Sequence, residues 1–162
     1  MMVTDFIVEH PNFKYPRQEL FNFQNNNPSY KENQHFQKRY NLNTASSHKF
    51  FDLIKIENDV IKDLTKNLQC NDYKFTKVLA GGVMPKHIDP QRTGVLMLPL
   101  TDSPCPIVFY KNGKEVFSHV YTCPTMINAK IEHGVPEVNN DRIFFQINFL
   151  QSWETLKEMR FE

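Results

Sequence analysis

A short strand pattern near the C-terminus most limits what this chain can fold into. Residues 142–149 read Arg-Ile-Phe-Phe-Gln-Ile-Asn-Phe. Successive side chains of a β-strand point to opposite faces. Ile143, Phe145, Ile147 and Phe149 then share one wholly apolar face, which other parts of the chain must cover. Arg142, Phe144, Gln146 and Asn148 share the other, which is half polar, begins with a cation and looks like the lining of a pocket.

The stretch before it reads as more of the same. Tyr73–Leu79, Val83–Asp89, Gly94–Leu100, Ile107–Tyr110, Val116–Tyr121, Thr125–Asn128 and Ile131–Val135 are short β-rich runs. Turn residues separate several of them: Gly81-Gly82, Thr101-Asp102-Ser103-Pro104 and Lys111-Asn112-Gly113-Lys114. Asn-Gly between two such runs is the strongest short-range hairpin signal. About eight short strands in roughly 80 residues point to an antiparallel sandwich or barrel, a mainly β fold.

Upstream of residue 72 the text changes. Residues 1–47 are rich in Asn, Gln, Phe and Tyr, and their scattered aromatics (Phe6, Phe13, Phe21, Phe23, Phe36) argue for packing against something, since disordered tracts are poor in aromatics. Asn58–Cys70 is expected to be helical: Val60, Ile61, Leu64 and Leu68 recur at helical spacing and Asn58 can cap the first turn. The apolar face of the last strand would pack on this N-terminal helical segment. Trp153–Arg160 is expected to form a short closing helix. The 162 residues suit a single domain, with 1–72 as a helical or irregular support, 73–152 as the β core and 153–162 as a tail.

Composition narrows the function. Nineteen Lys and Arg against 18 Asp and Glu leave a net charge of +1, which argues against gripping nucleic acid or an anionic membrane by bulk charge. No apolar run approaches the ~20 residues needed to cross a bilayer, and no signal peptide is expected at the N-terminus. Cys70, Cys105 and Cys123 lack metal-binding spacing and read as reduced thiols of a cytoplasmic protein.

Chemistry concentrates in four residues. His87 and Asp89 lie two apart on one strand, so both side chains point to one face, about 6–7 Å apart along the backbone, and can turn toward one cation. His133 is the obvious third donor. Two His and one carboxylate on one side of a metal leave the other positions open, the arrangement of non-haem Fe(II) oxygenases. Arg142 stands nine residues beyond His133 on the pocket-facing set. A buried guanidinium is costly unless an anion neutralises it, and no acid shares its face of that strand, so a carboxylate ligand is the simplest partner. The alternative is an exposed hairpin Arg beside Asp141. His119 reads as a surface residue, His10, His35 and His48 have no ligand spacing, Glu132 faces away from its neighbour His133, and Cys105 and Cys123 read as structural.

Taken together, His87-x-Asp89, His133 and Arg142 resemble the motif of the Fe(II)/2-oxoglutarate-dependent dioxygenases. The likeness is to the aspartyl/asparaginyl β-hydroxylase-like branch. It is carried by MPKHIDPQRTGVLMLPL and TMINAKIEHGVPEVNNDRIFFQINF and covers about residues 73–152. The resemblance implies a double-stranded β-helix, a jelly-roll or cupin-like barrel of two four-stranded sheets with helices on one outer face. It also implies Fe(II) on His87, Asp89 and His133, 2-oxoglutarate as cosubstrate with its distal carboxylate on Arg142, and O2 as oxidant. 2-Oxoglutarate would be decarboxylated to succinate as a C–H bond of an amino acid, a peptide side chain or a small metabolite is hydroxylated. Animal members of the branch lack the acidic ligand that Asp89 supplies, and place basic residues where this chain has Leu96-Met97-Leu98. Tyr110 and Asn128 are candidates for that missing help with the cosubstrate, and Arg92 for it or for gripping a substrate carboxylate. Other readings of the same barrel are weaker. Nucleic-acid repair oxygenases follow their binding Arg with an Asn and an Arg at offsets not reproduced here, and cupin enzymes want extra ligands that Pro90-Gln91-Arg92-Thr93 does not offer. A non-catalytic cupin-like binding module retaining a metal site is the main alternative function.

Overall fold

A computed structural model of the protein describes residues 1–34, 38, 49–54 and 56–161, so the expectations placed on His35, Phe36 and His48 lie outside the described residues. In chain order the elements are a 3-10 turn (Val3–Asp5), β1 (Ile7–Glu9), α1 (Arg17–Asn25), β2 (Lys31–Glu32), β3 (Phe50–Leu53), α2 (Asp59–Thr65), β4 (Asp72–Val78), β5 (Met84–His87), β6 (Gly94–Pro99), β7 (Ile107–Lys111), β8 (Lys114–His119), β9 (Thr125–Asn128), β10 (His133–Val135), β11 (Arg142–Phe149) and α3 (Trp153–Leu156).

The eight strands read after residue 72 form two four-stranded antiparallel sheets, β9-β6-β11-β4 and β5-β10-β7-β8. This is a double-stranded β-helix. The first sheet is widened on both sides, by β1 beside β9 and by β3 and β2 beside β4. The N-terminal segment contributes these three strands as well as two helices. Its strands are two to four residues long, too short for alternation to register in sequence.

β11 is central to the larger sheet and divides its side chains as alternation requires. Ile143, Phe145, Ile147 and Phe149 pack outward against Leu20 of α1, Ile61 of α2 and Leu156 of α3 in one buried cluster. Each such side chain contributes roughly 1.5–3 kcal/mol when fully buried, which is what fastens the helices to this face. Phe144 points the other way, into a second cluster between the sheets with Val95, Met97, Ile107, Phe109 and Ile127.

Local signals set the boundaries. The β7–β8 hairpin turns on Asn112 and Gly113 at φ 53° and 77°, the pair of left-handed residues a tight primed turn demands. Asn58 Oδ1 accepts from the Val60 and Ile61 amides at 2.8 and 3.2 Å and starts α2. The α-helix stops at Thr65, short of Cys70: the Leu68 amide bonds Thr65 O, three residues back, so the last turn tightens. α3 is likewise a single turn ending at Leu156, capped by Ser152, and not a helix to Arg160.

Candidate metal centre

His87 closes β5 and His133 opens β10, and the two are direct partners across the antiparallel pair. Gly134 makes this approach possible. A Cβ there would lie 2.9 Å from Met84 O and 3.2 Å from Lys86 N, both backbone atoms of β5. Asp89 lies just beyond the strand, its amide bonded to Ala129 O at 3.0 Å. The three side chains converge: one ligand atom from each of His87, Asp89 and His133 lies within 4.8 Å of the others, and all three residues are buried.

The imidazoles are aimed by the backbone. His87 Nδ1 lies 2.8 Å from Pro85 O, and His133 Nδ1 lies 2.7 Å from Ile131 O. A carbonyl only accepts, so each Nδ1 carries a proton and donates it, and in the neutral ring the lone pair sits on Nε2. Those two Nε2 atoms face Asp89, at 3.4 Å from Oδ1 and 3.6 Å from Oδ2 respectively. Burial, with the His87 ring beside it, pulls His133 down to about 4, so it is neutral at pH 7. Burial alone would raise Asp89, but the close His87 ring, the Arg92 cation and the neighbouring His133 outweigh it and hold the carboxyl well below the usual range. Asp89 Oδ2 nonetheless has no hydrogen bond of good geometry. A carboxylate and two lone pairs directed at one buried point form a donor set that fits a divalent cation.

The trio borders a cavity of about 880 Å³. All four pocket-facing residues of β11 line it. Arg142, only 4% exposed, forms no ion pair or hydrogen bond among the described residues, and its Nε is buried without a partner. Its guanidinium lies against two rings, 5.2 Å from the Tyr121 centroid and 4.8 Å from that of Phe144. Neighbouring Asp141 does not serve it; that carboxylate accepts from the Ala80 amide at 3.0 Å. Burial pulls Arg142 below its ordinary value, which reflects the cost of an unpaired cation in this wall. Tyr121, also in the lining, has a buried hydroxyl with no hydrogen-bond partner among the described residues, and burial pushes its phenol up.

Two residues expected to face the cosubstrate do not line this cavity. On β7, Ile107 lines it and Tyr110 falls on the opposite parity, with its ring under the Lys86 ammonium at 4.1 Å. On β9, Ile127 lines it and Asn128 faces away, donating to Asp5 O at 3.0 Å and accepting from the Lys130 amide at 3.1 Å. Arg92 does reach the cavity, but its guanidinium contacts Asp89, Gln146 and Asn148. His119 is half-buried, 3.4 Å from Thr125 Oγ1, and outside the trio. The residue that sequence reading missed is Tyr121. Its signal was the face it shares, at a spacing of two, with Phe117 and His119.

No protein-family model matches the chain, and no curated protein matches it in sequence. Solved structures do match in shape. A Pseudomonas putida prolyl-4-hydroxylase aligns with a TM-score of 0.59 at 11% identity, over 90% of this chain and 92% of its own. A Trichoplax adhaerens prolyl hydroxylase, in complex with a hypoxia inducible factor oxygen degradation domain peptide fragment, gives 0.59 at 12% identity over 97% and 89%. A viral collagen prolyl hydroxylase from Paramecium Bursaria Chlorella virus-1, in a 2OG complex, gives 0.52 at 11% identity over 93% and 100%. At these identities the likeness is one of fold.

Proposed function

We propose that the protein is an Fe(II)- and 2-oxoglutarate-dependent oxygenase that hydroxylates a C–H bond of an amino acid, a peptide side chain or a small metabolite. One observation carries the reading. Two backbone-aimed imidazoles and a carboxylate converge beside a cavity that also holds a buried guanidinium with no partner among the described residues. The trio offers a divalent metal two nitrogen donors and a carboxylate, and the Arg142 cation, without a counter-ion among the described residues, suits one end of a dicarboxylate.

In this reading His87, Asp89 and His133 hold the iron through Nε2, a carboxylate oxygen and Nε2. The Pro85 and Ile131 carbonyls keep the rings in the tautomer that presents those lone pairs. Arg142 would hold the distal carboxylate of 2-oxoglutarate by charge-assisted hydrogen bonds, and the Tyr121 hydroxyl would be a further donor beside it. Met97, Ile107, Ile127 and Phe144 line the cavity with apolar surface and keep water from competing for it. Bound iron would supply oxygen activation, coupled to conversion of 2-oxoglutarate to succinate and CO2. The sequence motif resembles the aspartyl/asparaginyl branch, whereas the aligned structures are prolyl hydroxylases, one holding a peptide fragment. The substrate search therefore spans both side-chain classes.

The test is succinate release from 2-oxoglutarate with Fe(II) and O2, screened against free amino acids and peptides bearing prolyl, aspartyl and asparaginyl residues. Substrate-stimulated release that disappears in His133→Ala is expected. Metal and 2-oxoglutarate binding with no release under any pool would make the protein a binding module instead.

A further inference from the structure

How many positions a metal offers here depends on how Asp89 is held, and Arg92 has the means to hold it. Arg92 Nε lies 3.1 Å from Asp89 Oδ2. The other end of the same guanidinium is fastened to β11: Nη1 donates to Gln146 Oε1 at 3.2 Å and to Asn148 Oδ1 at 2.8 Å. Those two amides are themselves anchored to β4, Gln146 Nε2 donating to Thr76 Oγ1 at 3.1 Å and Asn148 Nδ2 to Asp72 Oδ1. The backbone beneath Asp89 is pinned as well. Lys130 Nζ donates to Asp89 O at 2.9 Å and to Pro90 O at 3.1 Å, while the Asp89 amide bonds Ala129 O. With its backbone fixed, Asp89 retains chiefly the rotation of its carboxylate, and a planar guanidinium locked to a sheet sets that rotation.

A carboxylate can ligate through one oxygen or through both, and the second mode takes one more coordination position. We infer that Arg92 is a positioning residue that holds Oδ2 of Asp89 by ion pairing, restricts the carboxylate to single-oxygen ligation and so keeps a position open for cosubstrate and oxygen. The inference rests on the metal reading above. Nε and Nη1 of Arg92 serve these contacts.

Metal affinity alone would not test it, since removing a cation near a dication also favours the metal by simple electrostatics. The number of metal-bound waters is free of that ambiguity. We would saturate the protein with Mn(II), confirm one equivalent bound, and measure water-proton relaxation per bound ion. Arg92→Gln is expected to lower the bound-water contribution by about a third, one of three open positions in an octahedral site. Arg92→Lys, which keeps a cationic donor, is expected to stay near the wild-type value. Asn148→Ala, which leaves Arg92 in place with one anchor fewer, is expected to lower it less than Arg92→Gln. A bound-water contribution unchanged in both Arg92→Gln and Asn148→Ala, with Mn(II) fully bound, overturns the inference and leaves the metal reading standing. Wild-type protein that binds no Mn(II) overturns both.

Discussion

His87 and His133 are mirror images in their local chemistry. They are Cα partners across β5 and β10, their ring centroids are 4.4 Å apart, and each directs Nδ1 at the carbonyl two residues before it. Two imidazoles tilted 54° to each other in a buried wall gain little from their contact. Both present lone pairs toward Asp89, and that shared direction makes the pair a candidate ligand set.

Anaerobic Fe(II) with 2-oxoglutarate should therefore raise the melting temperature, because both would bind only the folded barrel. At 100-fold excess over its dissociation constant a ligand contributes about 2.7 kcal/mol, or about 5–10 °C for a chain of this length. Differential scanning fluorimetry of wild type and His87→Ala checks this. A shift of equal size in the variant would remove His87 from the site.

Arg142 makes opposite predictions for the free and the loaded protein. Arg142→Met should weaken 2-oxoglutarate binding by about 1.5–3 kcal/mol, the scale of a hydrogen bond to a charged group. The same change should stabilise the ligand-free protein by about 1 kcal/mol, since it removes a buried cation that has no counter-ion among the described residues, less the cation–π contacts with Tyr121 and Phe144. Tyr121→Phe should cost about 0.5–1.5 kcal/mol of cosubstrate affinity. Calorimetric titration and urea unfolding together measure both signs.

Asn128 is expected to behave as a structural residue. Its amide joins the N-terminal turn at Asp5 O to the Lys130 amide, so Asn128→Ala should destabilise by about 1–3 kcal/mol. Cosubstrate affinity of the folded variant should not change. Isothermal titration showing weakened 2-oxoglutarate binding would return Asn128 to the site.

Acid should loosen the protein through His10. This ring is 8% exposed, its Nε2 has no hydrogen-bond partner among the described residues, and it packs edge-on against Phe161 at 4.7 Å. Burial, then the nearby Arg160 charge, lowers its pKa from the ordinary 6.5. The unfolded chain then binds a proton more readily than the folded one, so His10 contributes stability that is present above about pH 6.5 and lost as pH falls through the lowered folded value. Melting temperatures from about pH 7 to about pH 5 should fall less steeply in His10→Phe, which keeps the ring contact and cannot titrate. Parallel curves for the two proteins would show that His10 does not carry the effect.

Some of this architecture is written in local text. The alternation from Arg142 to Phe149 assigns both faces of β11, because a strand has a period of two and each face meets a different environment. Asn112-Gly113 dictates its hairpin and Asn58 its helix start, because φ > 0 and an unpaired amide are local demands. The motif residues His87, Asp89, His133 and Arg142 can be picked out in sequence for the same reason: their chemistry is expensive to bury without a partner.

Other features depend on contacts between distant segments. β6 and β9 are buried on both faces, so nothing in their composition says which parity looks into the cavity; the pairing of the sheets decides that, and it turns Asn128 away. Tyr121 lies two residues beyond the end of β8 and enters the lining through contacts with Phe144 and the Arg142 guanidinium on β11. The short strands β1, β2 and β3 have too few residues to declare themselves and become strands only when an existing sheet edge supplies their hydrogen bonds. Arg92 is the sharpest case: its charge is visible in the sequence, but its partners lie 54 and 56 residues away on β11, and only the closed barrel brings them within reach.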